Sequence, residues 1–315
     1  MNRIVGISLL AAAVFMAVAC GVKPATRDFP TVSVPSVYSG PEDIVGYQAA
    51  HFWDAFLDTG ECFLCDSVTV NGVSDESLSK AALTYAQILL STDLSSAQNG
   101  IMEMFRKLET FQTAFPESNV FGKMTELVSS IEYDANSPLR DEDIYGPFAE
   151  AVSSSRFCPA GRAASYADEA ECCALNRRGT KAADFEFTDM QGIQRDLYGV
   201  EAEWTVLNFI NPGCNACNDV AEAFSSPVFE ELSGNGKVRI LGIYIDEELD
   251  KWFEESGKLP AFWTCGYDAD QTIRGERLYD VRAIPSVYLL DKEKEVVLKD
   301  APVDRVLAYI QNFVL

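Results

Sequence analysis

Cys214 and Cys217, two cysteines separated by two residues, are the pair whose spacing most directly allows chemistry. Thiols one helical turn apart can run a disulfide exchange, in which one attacks a foreign sulfur and the other displaces it. The flanking sequence suits that task. An apolar, β-prone run from Val206 to Ile210 comes first, Pro212-Gly213 breaks it, and a helix-compatible segment from Asp219 to Leu232 follows. A thiol at a helix start faces backbone N–H groups without intrahelical partners and the positive end of the helix dipole. Both favour thiolate, so Cys214 reads as the nucleophile and Cys217 as the resolving thiol. Asn215-Ala216 adds no positive charge between them, which favours a reductant over a strong oxidant.

Other titratable groups give weaker signals. Asp219 and Asp246 are candidate bases for the Cys217 proton. His51 is the one histidine and lies between aromatics, so it reads as a packed or interfacial side chain. A lone histidine supports neither a metal site nor a triad. Cys62-Phe-Leu-Cys65 is a second pair at the same spacing, with no β-run before it. It reads as a structural disulfide, either local or to Cys158, Cys172 or Cys173. A cysteine-only zinc site with Cys172 and Cys173 is disfavoured because adjacent cysteines make poor paired ligands. Cys265 reads as a buried, idle thiol. Setting Cys20 aside, the cysteines are even in number, as suits an oxidising compartment.

Four segments occur in order: Ala183 to Gly192, Val206 to Phe209, Cys214 to Cys217, and Arg282-Ala-Ile-Pro285 running on to Asp291. Together they resemble the thioredoxin superfamily in its TlpA-like envelope branch, over residues ~180 to 315. The resemblance implies a cis proline at Pro285 against the two cysteines. It also implies that Ile284, just before it, offers backbone hydrogen bonds to an extended substrate. Asn208 stands where cytosolic thioredoxins carry a buried aspartate; an amide cannot accept the Cys217 proton. Gly213 stands where the branch commonly has a substrate-facing tryptophan.

The positioning elements follow. Residues 1–19, Met1-Asn-Arg3 and then an apolar run, read as a signal peptide, since a membrane span needs about 20 apolar residues. Ala17-Val-Ala19-Cys20-Gly21 resembles a bacterial lipobox, which makes Cys20 the lipidated residue. Gly21 is not the aspartate that holds some lipoproteins at the inner membrane, so the expected location is the outer membrane, facing the periplasm. Residues 20–41 carry four prolines and read as an extended, lipidated tether. Residues 42–178 read as mostly α-helical, with apolar stripes such as Leu78, Ala82, Tyr85 and Leu89 as core faces. Tyr47 to Asp54 and Ser137 to Tyr145 resemble a helical domain of unknown function that precedes thioredoxin-like domains in envelope lipoproteins. A polar break at Arg177 to Lys181 opens the second domain, residues 179–315.

The fold expected is therefore α/β: a C-terminal thioredoxin-like mixed sheet flanked by helices, after a mostly helical domain. The net charge of −23 argues against nucleic acid and anionic lipid heads as partners. The activity expected is thiol–disulfide exchange on protein or peptide disulfides, with no dissociable cofactor and electrons from a membrane thiol donor. Two other readings stand beside it: a binding or assembly module whose disulfide is structural, and an oxidase or isomerase on the same fold.

Overall fold

The computed structural model describes residues 25–211 and 213–315. The expected signal peptide, lipidated Cys20 and Pro212 lie outside the described residues. Six helices and a small hairpin come first: α1 (Pro41–His51), β1 (Thr69–Val70), β2 (Val73–Ser74), α2 (Asp75–Leu90), α3 (Leu94–Ala114), α4 (Val120–Glu132), α5 (Glu142–Ser154) and α6 (Ala163–Cys173). The starts of α2 and α3 are capped: Ser74 accepts from the Ser77 N–H at 3.2 Å, and Asp93 accepts from that of Ser96 at 3.0 Å. The apolar stripes close a single core in which Trp53, Phe56, Phe111 and Phe148 are buried. In α5, Pro147 cannot donate to the carbonyl one turn back, that of Asp143. The Gln98 side-chain amide of α3 donates to that carbonyl instead, at 2.8 Å.

The expected tether needs correction. Residues 25–40 lie outside helix and strand, and Arg27, Phe29 and Val32 are docked on the helical region, whereas Pro35 to Ser39 are exposed. The Arg27 N–H donates to the Gly72 carbonyl at 2.7 Å, and the Phe29 ring stacks on Phe52 and Phe56. An apolar ring in that segment gains more from burial than from solvent, so the chain is laid down rather than held away.

The second region is a seven-stranded sheet in the order β4-β3-β7-β6-β5-β8-β9. Its strands are β3 (Glu186–Asp189), β4 (Gln194–Asp196), β5 (Trp204–Ile210), β6 (Val238–Tyr244), β7 (Thr264–Tyr267), β8 (Ser286–Leu290) and β9 (Val296–Leu298). Central β5 runs parallel to β6 and antiparallel to β8, and is buried on both faces, as its unbroken apolar run requires. The helices are α7 (Asn215–Ala223), α8 (Pro227–Gly234), α9 (Leu249–Glu255), α10 (Thr272–Gly275) and α11 (Val303–Phe313). One expectation shifts here. The segment expected as one helix to Leu232 is two, because Pro227 holds Ser226 extended and restarts the chain at a new first turn. The short α10 stops at Gly275, and Arg277 at φ 52° turns the chain out of the helix.

Between the helices and the sheet lies a buried layer of charge. Glu142, with its side chain 1% exposed, holds Lys299 at 2.7 Å and pairs with Arg282. Asp141 takes Arg178 at 2.6 Å and Arg305 at 2.9 Å, and Asp300 takes Arg140 at 3.2 Å. Arg178 falls at the expected domain break, and its pairing with Asp141 and Asp143 pins that break to α5.

Candidate functional site

Strand β5 ends at Ile210, and the chain turns through Gly213 into α7. Gly213 sits at φ +85°, a left-handed conformation that a side chain strains to adopt. That backbone need gives a physical reason why glycine rather than tryptophan precedes the nucleophile. Cys214 is the N-cap of α7, half-buried, with its own side chain making no cap bond. It stands at the end of the helix where the first-turn N–H groups have no intrahelical partners. Cys217 stands one turn in, 5% exposed, within hydrogen-bond contact of Cys214.

The second sulfur has a specific partner. The Asn211 N–H donates to the Cys217 sulfur at 3.3 Å, and the Asn211 side-chain amide donates to Asp246 at 2.8 Å. Arg274 of α10 holds the other oxygen of Asp246 at 2.7 Å. Burial pushes the Cys217 thiol up to about 12; the Asn211 N–H opposes the rise, while Cys214 and the Asp246 carboxylate add to it. Of the two candidate bases, Asp246 is half-buried and joined to the resolving thiol through Asn211, whereas Asp219 is exposed on α7. No pattern in the sequence marks Asn211; its role comes from following β5 directly, where the chain bends back over Cys217. Asn208 lies fully buried in β5, and its amide makes no hydrogen bond among the described residues.

The Ile284–Pro285 peptide is cis. Ser286 pairs with Phe209 across β5 and β8, which sets Pro285 level with the end of β5, where the cysteine loop leaves. Ile284 is half-buried and packs on the cluster that includes Cys217, as does Cys214. Gly213, Cys214, Cys217, Ile284 and Pro285 are thereby brought to one end of the central strands. The other candidates are not. His51 stacks on Tyr47 at 4.2 Å and bonds Asp54 at 2.8 Å in the helical region. Cys265 is buried, and burial pushes its thiol up to about 12. Cys62 and Cys65 lie in the loop before β1, both sulfurs directed at the Phe63 carbonyl. Cys172 lies at Arg277 and Cys173 near Glu142, away from that pair. Among the described residues no cluster of side chains could hold a metal ion.

Residues 178–299 match the AhpC/TSA family, and residues 13–160 match a domain of unknown function, DUF5106. No curated protein matches the sequence. The crystal structure of a thioredoxin-like protein from Bacteroides caccae is 32% identical. The match covers 92% of this chain and 100% of that one, with a TM-score of 0.78. This chain belongs to the thioredoxin-like family. Its sheet region is also similar to the C-terminal domain of an uncharacterized protein from Bacteroides fragilis, at 44% identity over 44% of this chain and 99% of that one (TM-score 0.42). A domain of a possible thiol-disulfide isomerase from Cytophaga hutchinsonii is 24% identical, over 44% of this chain and 95% of that one (TM-score 0.39). With the family established, the fold is the one expected: a mixed sheet flanked by helices, preceded by a helical region.

Proposed function

We propose that this thioredoxin-like protein is a thiol–disulfide oxidoreductase that reduces protein or peptide disulfides through Cys214 and Cys217. The observation that carries the reading is the unlike pair of sulfurs at the head of α7: Cys214 half-exposed at the N-cap, Cys217 buried behind it. The order of steps follows. Cys214 thiolate attacks one sulfur of the client disulfide, that bond breaks, and the leaving sulfur departs as a thiolate that takes a proton. Cys217, protonated until then, loses its proton and attacks Cys214, which frees the second client thiol. The client has gained two electrons and two protons; the protein holds the Cys214–Cys217 disulfide. A dithiol donor, expected at the membrane, restores it by the reverse exchange.

Asp246 is the proton acceptor in this scheme, reaching the Cys217 thiol by way of solvent, with Asn211 and Arg274 fixing its carboxylate. Ile284 supplies backbone groups to an extended client segment, and Gly213 leaves the approach to Cys214 open. The rest of the proposal concerns place: a signal peptide at 1–19, lipid on Cys20, and a body in the envelope at the outer membrane facing the periplasm. Its two domains divide at 178/179. Among the described residues no helix is long and apolar enough to cross a membrane.

Cys217→Ser tests the core of the reading. With the resolving thiol gone, mixed disulfides with client proteins should accumulate and release on reductant. A variant whose Cys214 forms no adduct would instead favour a binding module.

A further inference from the structure

The loop that ends at Pro285 has little of its own to hold it in shape. Residues 280–285 lie outside helix and strand, and among the described residues no turn or loop backbone hydrogen bond is donated by Val281 to Ile284. Val281 and Ile284 pack on the core of the sheet region, while the loop's polar side chains reach the helical region. Arg277 of the same loop reaches Asp168 of α6 at 2.9 Å. The Tyr133 hydroxyl, just past α4, donates to Asp280 at 3.3 Å.

Arg282, three residues before Pro285, makes the densest set of contacts. One guanidinium nitrogen donates to the Tyr133 carbonyl, and another pairs with Glu142, the first residue of α5. Its charged carbon stands 3.7 Å from the centre of the Tyr133 ring. Asp280 lies 3.1 Å from its Nε, and Asp300 lies 3.4 Å from an outer nitrogen. A planar fork with a carbonyl, a carboxylate and a ring face around it has one orientation that satisfies all three. Glu142 in turn is held by Lys299, whose amine also donates to the carbonyls of Cys173 and Leu175. The fork is thus seated on a buried, multiply bonded carboxylate.

We infer that the helical region grips Arg282 and thereby fixes the backbone of Ile284 and Pro285 for client binding, making Arg282 a positioning residue. This rests on the redox reading for its consequence, and it gives the preceding domain a task. The helices bring no reactive group to the dithiol; they hold the surface on which the client strand is laid. A lysine at 282 keeps the charge but, as a single point, cannot span the Tyr133 carbonyl, the ring and Glu142 together.

The test uses the whole protein with Arg282→Lys, and with Tyr133→Leu as a milder form that removes the ring and hydroxyl but keeps Glu142. Arg178→Lys is the control, since it loosens the same interface at Asp141 and Asp143 without touching the loop. The backbone order parameters of Ala283 and Ile284, about 0.85 for a rigid backbone, should fall below about 0.6 in Arg282→Lys, less far in Tyr133→Leu, and not in Arg178→Lys. KM for a disulfide-bonded model peptide should rise about tenfold, with kcat and the alkylation rate of Cys214 by iodoacetamide unchanged. Wild-type order parameters in the two grip variants, or an equal fall in Arg178→Lys, would overturn the inference. A wild-type protein that reduces no disulfide would count against the redox reading alone, because the order parameters still decide the grip.

Discussion

Cys217 holds its proton hard, and that single property orders the chemistry at the residue scale. Buried, with its thiol pushed up to about 12, it is almost wholly unionised at neutral pH. Free thiolate would then limit the resolving step, whose rate would climb about tenfold per pH unit. With Asp246 taking the proton, the wild-type step should instead vary little between about pH 7 and 9. Asp246→Asn should slow resolution about 100-fold at neutral pH and restore the tenfold-per-unit climb, read by stopped-flow on a preformed mixed disulfide. An unchanged pH profile in that variant would remove Asp246 from the mechanism. Much of this residue-level account was readable early, because strand, breaker, Cys-x-x-Cys and helix follow one another locally. Asn211 was not, since its contact with Cys217 exists only once the chain has turned after β5.

At the scale of elements, the loop between α1 and β1 brings Cys62 and Cys65 together as free thiols. Cys62 and Cys65 share the Phe63 carbonyl and lie in hydrogen-bond contact. The loop around them is tied by Asn71, which donates to the Phe56 carbonyl at 2.6 Å and accepts from the Phe63 N–H at 2.9 Å. Oxidation of the pair should therefore give a local Cys62–Cys65 disulfide. Peptide mapping of oxidised protein under thiol-blocking conditions should find those two linked, with no bridge from either to Cys158, Cys172 or Cys173. The helices themselves were legible from apolar stripes and caps, as at Ser74 and Asp93. The break between α7 and α8 was written in Ser226-Pro227, yet amphipathic spacing on both sides masked it.

At the scale of the molecule, the buried charge layer makes one body of two regions. Removing one partner from a buried pair leaves the other without compensation, at a cost of about 3–5 kcal/mol. Lys299→Met should lose about that much stability to denaturant, and the wild-type protein should unfold in one transition seen alike by probes in the helices and the sheet. Two separated transitions would show that the layer does not couple them. The chain alone determined what depends on neighbours in sequence: a dithiol at a helix start, a proline after Ile284, apolar stripes, and the order of a helical region before a sheet. Only the tertiary structure decided that Asp246 rather than Asp219 is linked to Cys217 through Asn211, that Arg27 and Phe29 are docked, and that Arg282 pairs with Glu142. Those contacts join residues far apart along the chain. A side chain's type gives its charge and reach, but its partner is chosen by which distant surfaces the packed core brings together.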